Sequence, residues 1–265
     1  MAPRYVRVAV DGERGFIVDA DVISGNDEPG ATPQLINQIK EDYGQMAKQV
    51  LADALFSSGS LLKWLDDRGI EAYIPVDANV SVKDNPAIRD DLTQPVAVED
   101  WPKLPRNPQT KKIDRSAFIY DESKDCYYCP MGKMIKYSKT VYGSNPVVES
   151  RRYECGHCIR CSLSSECLIG NSCFRTVTRD QYQELRDKAL ARMKTEEGKR
   201  NYGKRMWLNE GAFGLIKSWI GLRQFLCRGL DKVRTEWLWA CTAFNLKKLA
   251  KVVLSIRLQV QLSLK

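Results

Sequence analysis

The sequence predicts a mixed α/β fold with a cysteine-rich module set into it and a helical carboxyl-terminal part. Three observations lead there. Strand and helix patterns alternate through the first 75 residues, six of nine cysteines fall within Cys126–Cys167, and helical periodicity dominates beyond Thr178.

Taken in order, Tyr5–Asp11 (YVRVAVD) alternates apolar and polar residues, GERG turns, and Phe16–Val22 (FIVDADV) runs back, which predicts an antiparallel hairpin. The turn-rich SGNDEPGATP precedes a short helix carrying Leu35, Ile36 and Ile39 on one face. Val50–Leu55 is a short apolar strand with Asp53 near its end, SGSLLKWLDDRG is a helix closed by Gly69, and IEAYIP is a further strand. Strand, helix and strand in that order imply parallel pairing. Residues 1–75 thus form the first part of the core.

Residues 76–116 read as a proline-rich linker or insertion, punctuated by Pro86, Pro95, Pro102, Pro105 and Pro108. Residues 117–174 form the cysteine module, opened by two strands, AFIYDES and DCYYCP. The helical part, 175–265, contains three segments: RDQYQELRDKALARMKTEEGKR, GKRMWLNEGAFGLIKSWIG and LDKVRTEWLWACTAFNLKKLAKVVL. In the third, Val233, Trp237, Ala240, Cys241 and Phe244 make one apolar stripe.

The net charge of +8 conceals a gradient. Residues 1–100 hold 9 basic against 18 acidic side chains, residues 101–174 hold 12 against 7, and residues 175–265 hold 20 against 8. A block so basic suits a polyanion. The amino terminus has no apolar signal segment, and no stretch has the roughly 18 apolar residues that a bilayer span needs. The expectation is a cytoplasmic protein with no membrane partner.

Without an export signal, clustered cysteines point to metal rather than to disulfides. Cys126-x2-Cys129 is followed by Cys155-x2-Cys158-x2-Cys161 and then Cys167. Two intervening residues let a tight turn aim both sulfurs at one Zn²⁺, and a distant pair completes the tetrahedron. Six cysteines compete for four places, and spacing does not choose among them. His157, inside the cysteine cluster, is the sole histidine, which excludes a Ser/His/Asp triad anywhere else in the chain. Hydrolytic chemistry must therefore rest on carboxylates, for which Asp53 and Glu210 are the candidates.

The run Trp207–Leu249 contains Glu210, Phe213-Gly214, Ile216-Lys217, Arg228-Gly229-Leu230, Lys232-Val233 and Glu236-Trp237. It resembles the carboxyl-terminal block of the DDE transposases of bacterial insertion sequences, in the subgroup with a cysteine-rich insertion before the final glutamate. VRVAVDGERGFIVDADV and VLADALFSSGSLLKWLDDRGIEAYIP resemble that family's central strands and the strand with its second aspartate, here Asp53. The resemblance implies a ribonuclease H-like mixed sheet, two Mg²⁺ or Mn²⁺ ions at Asp53 and Glu210, and nicking and strand transfer of transposon DNA ends. It implies zinc on Cys129, Cys158, Cys161 and Cys167, with Cys126 and Cys155 in reserve. Lys217 lies seven residues after Glu210, two helical turns on and so on the same face, which suits a phosphate contact near the site; Arg223 and Arg228 are further candidate DNA contacts, and a homo-oligomer is expected when active.

The family's first aspartate stands on a strand before the hairpin, where this chain begins. The resemblance therefore implies an amino-terminally truncated copy, with Asp11 as a substitute acid. The family's Asp-Ala-Gly-Tyr is also replaced by Asp53-Ala54-Leu55-Phe56. Two functions compete: a metal-dependent DNA-cutting enzyme, and a zinc-stabilised DNA-binding module without catalysis.

Overall fold

The computed structural model describes residues 4–24, 28–76, 84–143 and 148–263. They form two compact units, Met1–Val76 with Leu185–Lys265, and Asp77–Glu184.

The first unit opens with β1 (Arg4–Val10) and β2 (Ile17–Ser24), an antiparallel pair with a register shift after Ala9. Helix α1 (Glu28–Tyr43) is longer than expected and carries Pro33 within it, a position that forgoes one i→i−4 backbone hydrogen bond. Part of the expected turn, residues 25–27, lies outside the described residues. Strand β3 (Gln49–Leu51) pairs in parallel with β4 (Glu71–Tyr73) through α2 (Gly59–Asp66), as strand–helix–strand order requires. Ser58 caps α2, and Gly69 at φ +65° turns the chain into β4.

The second unit is a five-stranded antiparallel sheet in the order β5 (Ile119–Asp121), β6 (Cys126–Tyr128), β7 (Met134–Tyr142), β8 (Glu149–Glu154), β9 (Thr176–Asp180). A single short helical turn, α3 (Ser164–Cys167), lies between β8 and β9. The described part of the proline-rich stretch is packed: Ala87, Val96, Leu104 and Ile113 are buried with Tyr127, Ile135, Tyr153 and Val177. Residues 77–83 of that stretch lie outside the described residues. The Asp125 carboxylate ties strands together, accepting from the hydroxyls of Tyr120 (2.9 Å) and Tyr153 (2.6 Å) and from the Arg151 guanidinium.

The chain then returns to the first unit. The helical segment expected from Arg179 onward is split into α4 (Gln183–Lys194) and α5 (Glu196–Arg205) at Thr195, whose hydroxyl caps α5 by accepting from Gly198 N–H at 2.9 Å. The backbone comes so close there that a Cβ on Gly198 would stand 2.0 Å from the Arg192 carbonyl oxygen. After α5 the helix continues through α6 (Gly211–Leu215) to Ile220 and ends at Gly221, φ +82°. The last helix is α7 (Leu230–Ser263).

Two cores hold this unit. Val233, Trp237, Ala240, Cys241 and Phe244 of α7 are all buried with Ile17 and Val22 of the hairpin, and with Ala212 and Ile216. The expected stripe is thus the buried face of α7. The Asn245 amide brackets the edge of β2, bonding Ile17 N–H at 2.9 Å and Ile17 C=O at 2.8 Å. The second core joins Ile36, Leu61, Leu62, Leu65, Ile74 and Ala189, from α1, α2, the segment after β4 and α4. The one continuous mixed sheet expected for a ribonuclease H-like core is not drawn among the described residues, where this unit holds two separate two-stranded ladders.

Candidate functional site

Asp53 stands just beyond β3, in extended backbone at φ −80° and ψ 178°. One carboxylate oxygen accepts from Leu55 N–H at 3.0 Å and caps a right-handed 3₁₀ turn, Ala54–Phe56. That turn needs no left-handed residue, so the missing glycine of the family pattern is accommodated without strain. The other oxygen, Oδ2, lies 3.7 Å from Nη2 of Arg205.

Glu210 reaches the same place from the opposite side of the sequence. Arg205 ends α5, and the helix then widens into a π-helical turn over Met206–Glu210. Such turns recur at functional sites. Glu210 Oε1 lies 3.5 Å from Nη1 of Arg205. The two predicted acids, 157 positions apart in sequence, thus flank one guanidinium, with Asp53 on one prong and Glu210 on the other. Both carboxylates are open to solvent, 47% and 63% exposed, whereas the Arg205 side chain is 21% exposed and lies beside the Tyr202 ring. Sequence reasoning missed Arg205. Its signal was its position five residues before the glutamate in the same helical run.

Asp11 is engaged elsewhere. Its carboxylate accepts from the backbone N–H groups of Glu13 (3.0 Å), Arg14 (2.8 Å) and Phe16, closing the β1–β2 turn. Among the described residues it is not an ion-pair partner of Arg205. Lys217, Arg223 and Arg228 are exposed. Lys217 lies in a second π-helical turn, Ile216–Ile220, so its placement relative to Glu210 does not follow the seven-residue spacing of an unbroken α-helix.

In the second unit, Cys129 sits at the β6–β7 turn, where its N–H donates to Lys133 C=O and Gly132 N–H donates back to Cys129 C=O. Gly132 has φ +69°, and a Cβ there would meet the Thr93 carbonyl oxygen at 2.0 Å. Cys158 and Cys161 occupy one turn, joined by Cys161 N–H to Cys158 C=O at 3.2 Å, and α3 delivers Cys167. Cys129, Cys155, Cys158, Cys161 and Cys167 line one small cavity that Cys126 does not reach. Burial pushes the Cys167 thiol up to about 12 and Cys158 up to about 11, and the sulfurs of Cys129, Cys158 and Cys161 add to the effect on Cys167. The Arg175 N–H, 3.3 Å from the Cys158 sulfur, opposes it. The all-sulfur donor set fits zinc, although among the described residues no three His, Cys, Asp or Glu side chains stand close enough to hold an ion as they are. His157 at the rim is exposed.

Among the described residues, no helix is long and apolar enough to cross a membrane. No curated protein and no solved structure matches the chain. One family model does match, that of the transposase DDE domain, over residues 128–250, a segment that includes Glu210 and the cysteines from Cys129 onward and leaves Asp53 and Asp11 before it. Over that segment the chain is similar to the transposase DDE domain.

Proposed function

We propose that this chain acts on DNA as a metal-dependent nicking and strand-transferring transposase, with Asp53 and Glu210 as its metal-binding acids. One observation carries the reading: acids from distant elements of the chain flank a single cation. An all-oxygen donor pair of this kind suits Mg²⁺ or Mn²⁺. When bound, such ions would activate the attacking oxygen and stabilise the leaving one. The chain's own part is to hold both carboxylates at one solvent-open position and to keep DNA against it. Exposed Lys217, Arg223 and Arg228 would neutralise phosphates there, with the salt dependence that counterion release brings. Zinc held by Cys129, Cys158, Cys161 and Cys167, with Cys155 as an alternate, would stabilise the second unit. A homo-oligomer is the assembly proposed for the active form.

The test is supercoiled-plasmid nicking in Mg²⁺ and in Mn²⁺ by the wild type, Asp53→Asn and Glu210→Gln. The expected loss is on the order of a hundredfold for either variant, as for removal of a transition-state electrostatic contact. Nicking that survives both changes rejects the assignment. A second reading, DNA binding without cleavage, is favoured by the engagement of Asp11 in its own turn, which leaves two acids at the site rather than three. Salt-sensitive binding with no cleavage under either ion would select it.

A further inference from the structure

We infer that Arg205 is a built-in competitor for the divalent ion, a tethered cation that holds the acid pair together at rest and yields its place when metal binds. The inference rests on the acid pair being the metal site. Two carboxylates that flank one guanidinium are like charges whose repulsion that cation offsets, and Arg205 supplies it from within the chain. Its two contacts, 3.7 and 3.5 Å, are well beyond the roughly 2.7–2.9 Å of a strong charge-assisted bond. With both acids largely open to water, such pairs are weak. The guanidinium is therefore close enough to cancel the repulsion and too loosely bound to exclude a doubly charged ion.

The fold supports this role. Arg205 lies at the junction where α5 passes into the π-helical turn that ends at Glu210, so cation and acid are set by one continuous helix. Asp53 comes from the other end of the first unit's sequence and meets them through its own capped turn. A guanidinium stays charged throughout the physiological range, so the competition does not vary with pH through Arg205 itself.

The experiment measures Mn²⁺ binding to the full-length protein by the electron paramagnetic resonance signal of free Mn²⁺, without DNA. Wild type, Arg205→Gln, Arg205→Lys, Asp53→Asn and Glu210→Gln are compared, with circular dichroism recorded for each. Arg205→Gln should bind Mn²⁺ about fivefold or more tightly than wild type. Arg205→Lys, which keeps the charge but not the two-pronged fork, should fall between them, and it serves alone if the glutamine variant does not fold. Unchanged or weaker binding in the Arg205 variants, with binding still lost in Asp53→Asn and Glu210→Gln, overturns the competitor role only. Mn²⁺ binding indifferent to Asp53 and Glu210 overturns the site assignment and this inference together.

Discussion

The two units gather groups that repel one another when charged, and they manage the repulsion in opposite ways. In the second unit the sulfurs are buried or half-buried, and burial keeps Cys167 and Cys158 protonated by pushing them up to about 12 and about 11. In the first unit the two acids lie at the surface, on either side of one guanidinium. The difference teaches what each site costs to use. Ionising buried thiols without a metal is expensive, so on the zinc proposal metal binding and folding of the second unit are one event. Exchanging cations at an exposed acid pair should leave the surrounding fold intact.

The largest expected effect would come from breaking the buried side of this comparison. Cys129→Ser or Cys167→Ser should lower zinc from about one ion per chain to a small fraction of that, and should remove cooperative unfolding of the second unit. Atomic absorption and thermal melts would show it. Purified wild type that melts cooperatively with no zinc would end the comparison.

Within the first unit, burial should dominate charge. Trp237 is 3% exposed, stacks on Phe213 at 5.7 Å between ring centres, and donates from Nε1 to Arg7 C=O. Trp237→Ala should cost about 3–5 kcal/mol in denaturant unfolding, against less than about 1 kcal/mol for Glu210→Gln. Gly198→Ala comes next, at about 1–3 kcal/mol, because its new methyl group meets the Arg192 carbonyl and α5 must shift. The same shift should weaken Mn²⁺ binding, since α5 carries Arg205 into the turn that places Glu210.

How much of this was legible in the sequence depended on where each signal was stored. The hairpin, the β3–β4 crossover and the α7 stripe were legible because periodicity records which side chains face inward. Asp53 and Glu210 were picked out by local motifs, which carry no trace of the Arg205 guanidinium they flank. Strands β7, β8 and β9 were not read from sequence: β7 is largely polar and exposed, and its partners are fixed by tertiary pairing rather than by its own alternation. The break at Thr195 had a readable signal, Thr-Glu-Glu ahead of Gly198, a capping residue followed by acids in the first turn. The π-helical turns left none, because a shifted backbone hydrogen bond changes no residue type.

A pH-dependent effect concerns Cys241, which burial pushes up to about 12 in the α7 core. An unfolded thiol titrates near about 8.5. The unfolded chain therefore loses this proton first, so the contribution is intact below that pH and declines as pH rises toward the folded value. Between pH 8.5 and 10 the wild type should lose up to about 1.4 kcal/mol per pH unit more than Cys241→Ala. Urea unfolding of both proteins across that range measures it, and parallel slopes would show that the α7 core does not hold the thiol neutral.

The widened turn at Met206–Glu210 works like one extra link in a chain of fixed pitch. Each residue of an ordinary helix advances the direction of its side chain by about 100°. Shortening the stretch between Arg205 and Glu210 by one link would restore even winding and swing the glutamate away from Asp53, although every chemical group had been kept. At this position the length of the segment matters as much as its composition.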